Sequence, residues 1–83
     1  MNKTQIGKIT HYFSDINVAV LELIADLKLG DNISIEGHDN ITKMTVSSME
    51  IDRTPVEEAK AGQAIGMKTK QEVKPGDIVY NIK

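Results

Sequence analysis

The sequence contains no cysteine. That absence excludes a disulfide framework and any zinc site built on thiolates. Long apolar runs are missing too. The first ten residues, MNKTQIGKIT, hold no apolar signal core, and no segment approaches the roughly 20 apolar residues of a membrane span. Together these absences imply a cytoplasmic protein with no membrane contact. An excess of positive charge is also lacking: 10 Lys and Arg stand against 12 Asp and Glu, for a net charge of -2 and a pI near 5.6. The chain therefore does not coat nucleic acid through a bulk positive field, although a local basic face is still open to it.

What is present is ordinary for a globular chain. The 83 residues are 40% hydrophobic and 27% charged, which fits one domain spanning 1–83. A domain of this size buries only about two thirds of its unfolded surface. Its most distinctive feature is a short motif, Lys-x-Gly-(Asp or Gln), used three times: Lys28-Leu29-Gly30-Asp31, Lys60-Ala61-Gly62-Gln63 and Lys74-Pro75-Gly76-Asp77. The last copy fits a type II turn residue for residue, with proline second and glycine third, where the backbone needs a positive φ. Alternating apolar residues follow each copy: Ile33 and Ile35, then Ile65 and Met67, then Ile78, Tyr80 and Ile82. Period-two alternation marks half-buried strands, so the motifs read as turns that launch strands. A phosphate-binding loop of the Walker type requires Gly-x-x-x-x-Gly-Lys-Ser/Thr, and that pattern is absent.

The remaining segments add strands. QIGKITHYF (Gln5–Phe13) and VAVLELIA (Val18–Ala25) flank SDIN, a hairpin turn, and Gly37-His38-Asp39-Asn40 forms another turn before ITKMTVSSMEID. In that last stretch Met44 and Val46 share one parity whereas Met49 and Ile51 share the other, so a β-bulge is expected at Ser47-Ser48. Two segments also carry helical signals. Ile16, Val20, Leu23, Ile24 and Leu27 are spaced as on an amphipathic helix, and periodicity does not separate that reading from a strand. PVEEAKAG (Pro55–Gly62) is expected to form one short helical turn. Six strands with this much turn punctuation suggest a small antiparallel β-barrel.

Enzyme chemistry finds little footing. His11 and His38 are the only histidines, and neither has a serine, cysteine or second histidine at a spacing that specifies a site. His38-Asp39 supplies one imidazole and one carboxylate, an incomplete metal site and more simply a polar turn. No general acid and base pair stands out, no cofactor is implied, and a non-catalytic chain is expected.

Three stretches carry a resemblance: LKLGDNISIEG (Leu27–Gly37), MTVSSMEIDRTPVEEAKAGQAIGMK (Met44–Lys68) and VKPGDIVY (Val73–Tyr80). In their order they resemble the second, β-barrel domain of translation factors such as elongation factor Tu and initiation factor 2. IGKITHYFSDINVAVLEL looks closer to free-standing translation elongation factor-like barrels. It is also similar to the barrel appended at the C-terminus of a collagenase-like peptidase family associated with RNA-base hydroxylation. The resemblance implies an all-β, six-stranded antiparallel barrel with Val18–Ala25 as its second strand. Neither a phosphate loop nor a guanine-reading Asn-Lys-x-Asp accompanies it, so no nucleotide is expected. Where elongation factor Tu carries Arg-Gly-Thr entering the second strand, this chain reads Ile16-Asn17-Val18, and no tRNA pocket carries over.

Two functions follow from this reading. The first is an accessory module of translation or RNA modification that contacts RNA or the ribosome. Its basic patch would be Arg53, Lys60, Lys68 and Lys70, although lysines on an acidic protein more often serve solubility. The alternative is a protein-interaction module docking on a separate enzyme, with the same residues as partner contacts. The three aromatics, Tyr12, Phe13 and Tyr80, suit base stacking or interface anchoring, but most barrel aromatics are core.

Overall fold

The computed structural model describes residues Lys3–Ile82, and every regular element among them is a strand. In chain order these are β1 (Lys3–Phe13), β2 (Val18–Leu23), β3 (Leu27–Lys28), β4 (Asn32–Glu36), β5 (Ile41–Thr45), β6 (Met49–Ile51), β7 (Thr54–Val56), β8 (Glu58–Ala59), β9 (Ala64–Lys68) and β10 (Ile78–Ile82). Eight of them form one antiparallel sheet in the order β5-β4-β10-β1-β2-β9-β6-β7, and β3 pairs separately with β8.

The alternation read from the sequence is what the strands bury. In β2, Ala19, Leu21 and Leu23 are buried, while Glu22 is exposed. In β9 it is Ile65 and Met67. These join Ile6, Ile9, Leu27, Ile33, Ile35, Val46, Met49 and Val79 in a core made of aliphatic and methionine side chains. No aromatic ring is fully buried: Phe13 is 47% exposed and Tyr12 packs only against the edge of the core. The expectation of aromatic core residues is therefore wrong for this chain.

The helical reading of Ile16–Leu27 fails for a visible reason. Ile16 and Ile24, two of the five residues in the would-be apolar stripe, are 54% and 62% exposed. Pairing with β1 and β9 on either side selects the period-two set instead. Pro55–Gly62 forms no helical turn either. Leu27 and Lys28 pair with Ala59 and Glu58, and the Leu29 amide donates to the Glu57 carbonyl at 3.0 Å. Tertiary pairing overrides local helix propensity in this segment.

The closed six-stranded barrel also needs correcting. The six expected strands are present as β1, β2, β4, β5, β9 and β10, but the sheet is open, with β5 and β7 as its terminal strands. The phase change at Ser47-Ser48 explains why. It is not a bulge within one strand. After Thr45 the chain leaves one end of the sheet and re-enters near the other end as β6, paired with β7 and β9. Irregular chain after β9 borders β5: the Thr42 hydroxyl donates to Gln71 Oε1 at 3.3 Å, and the Thr69 hydroxyl donates to the Gln71 carbonyl at 2.9 Å. The register shifts that do occur lie in β1, between Gln5 and Gly7 and between Ile9 and His11.

The three repeated turns share one geometry. Gly30, Gly62 and Gly76 have φ of 91°, 92° and 99°, the left-handed conformation expected at the third position of a type II turn. In each turn the amide of the last residue donates to the lysine carbonyl, at 3.2 Å for Asp31, 3.1 Å for Gln63 and 3.0 Å for Asp77. The side chain of that last residue folds back to accept from the lysine amide, at 3.1, 2.7 and 2.9 Å. Each turn also clasps a distant buried residue through two backbone bonds. Gly30, Gly62 and Gly76 donate to the carbonyls of Val46, Leu23 and Ile9, at 2.9, 2.8 and 2.7 Å. The amides of Val46, Leu23 and Ile9 donate in return to Asp31, Gln63 and Asp77, at 2.9, 2.9 and 2.8 Å.

This geometry separates two substitutions. Nothing lies within 4 Å of a Cβ placed on Gly76, so Gly76→Val pays only for the backbone conformation. We expect a loss of about 1–3 kcal/mol in urea unfolding. Asp77→Asn retains an acceptor for the Lys74 amide and should cost less than about 1 kcal/mol. Equal losses for both variants would assign Asp77 more than a turn role.

Candidate functional site

The four basic residues do not gather into one patch. Arg53 and Asp52 have φ of 64° and 51° and form the two-residue turn of the β6–β7 hairpin, a type I′ arrangement between the paired Ile51 and Thr54. Lys60 sits in the second repeated turn, with its ammonium 3.5 Å from both Asp26 Oδ2 and Glu58 Oε1. The charges of Glu58 and Asp26 raise its pKa above the usual lysine value. Its charge is therefore answered within the chain. Since Met49 and Glu50 oppose Met67 and Gly66, Arg53 lies toward the start of β9, where Lys60 also lies, whereas Lys68 and Lys70 lie at its far end. A five-residue strand separates the two ends by roughly 13 Å.

Only Lys68 and Lys70 come together. Their ammonium-bearing side chains alternate with the buried Met67 and Thr69, and both line a shallow groove with Met44, Thr45 and Ser47. Lys43, which no sequence pattern singles out, lies with Lys70 along an adjoining groove. Tyr80 is engaged elsewhere: the Lys3 ammonium lies 4.5 Å from its ring centre and also bonds Glu36 at 3.0 Å. Hydrogen bonds from Lys3 and the buried Ser34 hydroxyl hold the Glu36 carboxyl below its usual pKa. This cluster ties β1, β4 and β10 together and is structural.

The outer face of β1, β2, β9 and β6 is different. Residues opposite one another in an antiparallel sheet share a face. Phe13 opposes Val18, which opposes Lys68; His11 opposes Val20, which opposes Gly66, which opposes Glu50. These two rows lie on the side away from Ala19, Leu21, Ile65 and Met67. His11 and Phe13 are both exposed, with their rings stacked at 6.4 Å and an interplanar angle of 6°. Ile16, in the loop between β1 and β2, closes one end of a groove lined also by Val18, Ser48, Glu50, Gly66 and Lys68. The result is an exposed apolar strip with a lysine and a glutamate at its rim.

Among the described residues no three His, Asp or Glu side chains come close enough to hold a metal ion. His11 Nδ1 lies 3.1 Å from the Thr10 hydroxyl, and among the described residues no carboxylate bonds the ring. Nor is any helix among the described residues long and apolar enough to cross a membrane.

No protein-family model matches the chain. An uncharacterized protease of Methanocaldococcus jannaschii is 39% identical over 98% of this chain, and a collagenase of Porphyromonas gingivalis is 35% identical over 94%. The chain spans only about one fifth of either relative, 20% and 22% of their lengths. Among solved structures, the C-terminal domain of a Geobacillus thermoleovorans protein assigned to the U32 peptidases matches with a TM-score of 0.88. That match covers 94% of this chain and 91% of the other at 14% identity, and so speaks for the fold alone. The homologues are thus segments of proteins named as proteases and collagenases. They support the collagenase-like resemblance and overturn the reading as a translation or RNA-modification module. The contact with RNA or the ribosome expected from that reading goes with it.

Because Phe13 and Ile16 lie outside the core, Phe13→Ser and Ile16→Ser should each change unfolding free energy by no more than about 0.5 kcal/mol. Urea denaturation tests this, and a loss above about 2 kcal/mol would return either residue to a packing role.

Proposed function

We propose that this chain, as one unit spanning 1–83, is a non-catalytic docking module that serves a peptidase-type catalytic unit, whether joined to it or separate. The observation that carries the proposal is the pairing of near-complete coverage of this chain with one-fifth coverage of its relatives. Proteins named as proteases carry a segment of this kind beside a much larger remainder. Among the described residues no cluster of His, Asp and Glu side chains gathers to hold a metal, whereas an exposed apolar strip is assembled. Apolar surface held on a rigid sheet suits association rather than turnover. Of the four basic residues, Lys68 is the proposed partner contact because it stands at the rim of that strip. Arg53, Lys60 and Lys70 lie outside it and contribute general surface charge.

Affinity purification of the tagged chain from its own cells tests the proposal. A peptidase of the U32 type should be recovered with it, and the recovery should survive ribonuclease. The purified chain alone should leave gelatin and short peptides uncut. Recovery that vanishes with ribonuclease, or peptide cleavage that follows the chain through purification, would contradict the proposal.

A further inference from the structure

Gly66 sits in the middle of β9, where glycine weakens a strand by roughly 0.5–1 kcal/mol relative to alanine. Neither usual excuse applies to it. Its φ is not positive, unlike those of Gly30, Gly62 and Gly76. Nor does the backbone crowd it: a Cβ there would meet only the Val18 Cγ1, at 3.4 Å, an ordinary contact. At Gly7, by contrast, a Cβ would fall 2.6 Å from the Glu22 carbonyl oxygen, so the fold itself demands glycine. Neither a positive φ nor a backbone contact accounts for the missing side chain at position 66. What it leaves is a bare floor under the groove bordered by Ile16 and Val18, with Lys68 and Glu50 on its rim.

From this we infer that the Gly66 groove is the seat of the peptidase-type partner, which inserts one apolar side chain over Gly66 and sets an acidic group beside Lys68. The inference rests on the docking function proposed above and names its surface. Close approach of another molecule to the backbone is one of the roles a glycine within a strand serves. Phe13, on its exposed hairpin, supplies the aromatic anchor that protein interfaces favour. Among the described residues Lys68 has no ion-pair partner, so an incoming carboxylate would meet an unanswered charge. Glu50, on the neighbouring strand, fixes orientation by rejecting the same carboxylate on its side.

Photo-crosslinking in the native cell provides the test. With p-benzoylphenylalanine at position 13, irradiation should yield an adduct with a U32-type peptidase, identified by mass spectrometry. The same probe at Ile41, an exposed apolar site on β5, should not. Adding Gly66→Leu to the position-13 probe should reduce the adduct about tenfold or more, the scale of a blocked anchor pocket. Lys68→Glu should reduce it also, which covers the case in which Gly66→Leu impairs folding. If the peptidase adduct forms from position 41 and not from 13, or survives both variants, the groove is not the seat although docking stands. An adduct of two copies of this chain in place of the peptidase adduct likewise overturns the inference. If neither probe reaches a peptidase and none co-purifies, it is the docking function itself that fails.

Discussion

The structure depends on a backbone clasp made three times. Each Lys-x-Gly-(Asp or Gln) turn holds a distant buried residue, Val46, Leu23 or Ile9, by one hydrogen bond in each direction. The three clasped residues are 1%, 2% and 1% exposed. Every clasp therefore carries an antiparallel ladder (β4–β5, β2–β9 or β1–β10) one pair further, into the turn, and fixes the backbone of a core position there. Each net hydrogen bond contributes only about 1 kcal/mol, but a buried amide left without its partner costs more. An open sheet of short strands gains from this in a specific way. The clasps set where β4, β9 and β10 begin relative to the chain they launch from, and so set the register of the alternating side chains.

With cohesion supplied by the clasps and an aliphatic core, the outer face of β1, β2, β9 and β6 contributes none of the fully buried core residues. His11 and Phe13 stack in solvent, Ile16 is exposed, and Gly66 leaves a gap in an otherwise regular row. Two of the lysines elsewhere are engaged within the chain. Lys60 is held by Asp26 and Glu58, and Lys3 by Glu36 and the Tyr80 ring. Exposed pairs of this kind add little stability. They do remove Lys60 from the set of cations free to meet a partner, and since Arg53 and Lys70 lie outside the groove, only Lys68 of the four basic residues stands at the candidate site.

Much of the architecture could be read directly. Turn chemistry at Pro75-Gly76 and alternation after each glycine located the strands they launch, because both are local properties. What was illegible is non-local. Whether Met49 continues the strand of Met44 or begins another depends on which neighbour it pairs with, and a phase change at Ser47-Ser48 is the same in either case. The β3–β8 pair hides inside sequences that favour helix, since only the fold brings Leu27 to Ala59. The site was missed for a related reason. Phe13 and His11 looked like strand residues, and nothing local says that their parity faces outward. The one available signal was Gly66, a glycine in an alternating strand with no turn beside it. The resemblance to a collagenase-like peptidase segment pointed to the supported relatives, while its translation-factor branch led to the function that those relatives overturn.

Amide hydrogen exchange of the free chain tests the clasp account most directly. The amides of Gly30, Gly62 and Gly76 lie in turns, where exchange is ordinarily fast. The account predicts that they are protected to the level of core strand amides such as that of Leu21, and that they open together with the sheet. Exchange of these three glycine amides at the rate of the Ser14–Asn17 loop would show that the turns are passive connections, and would contradict the account.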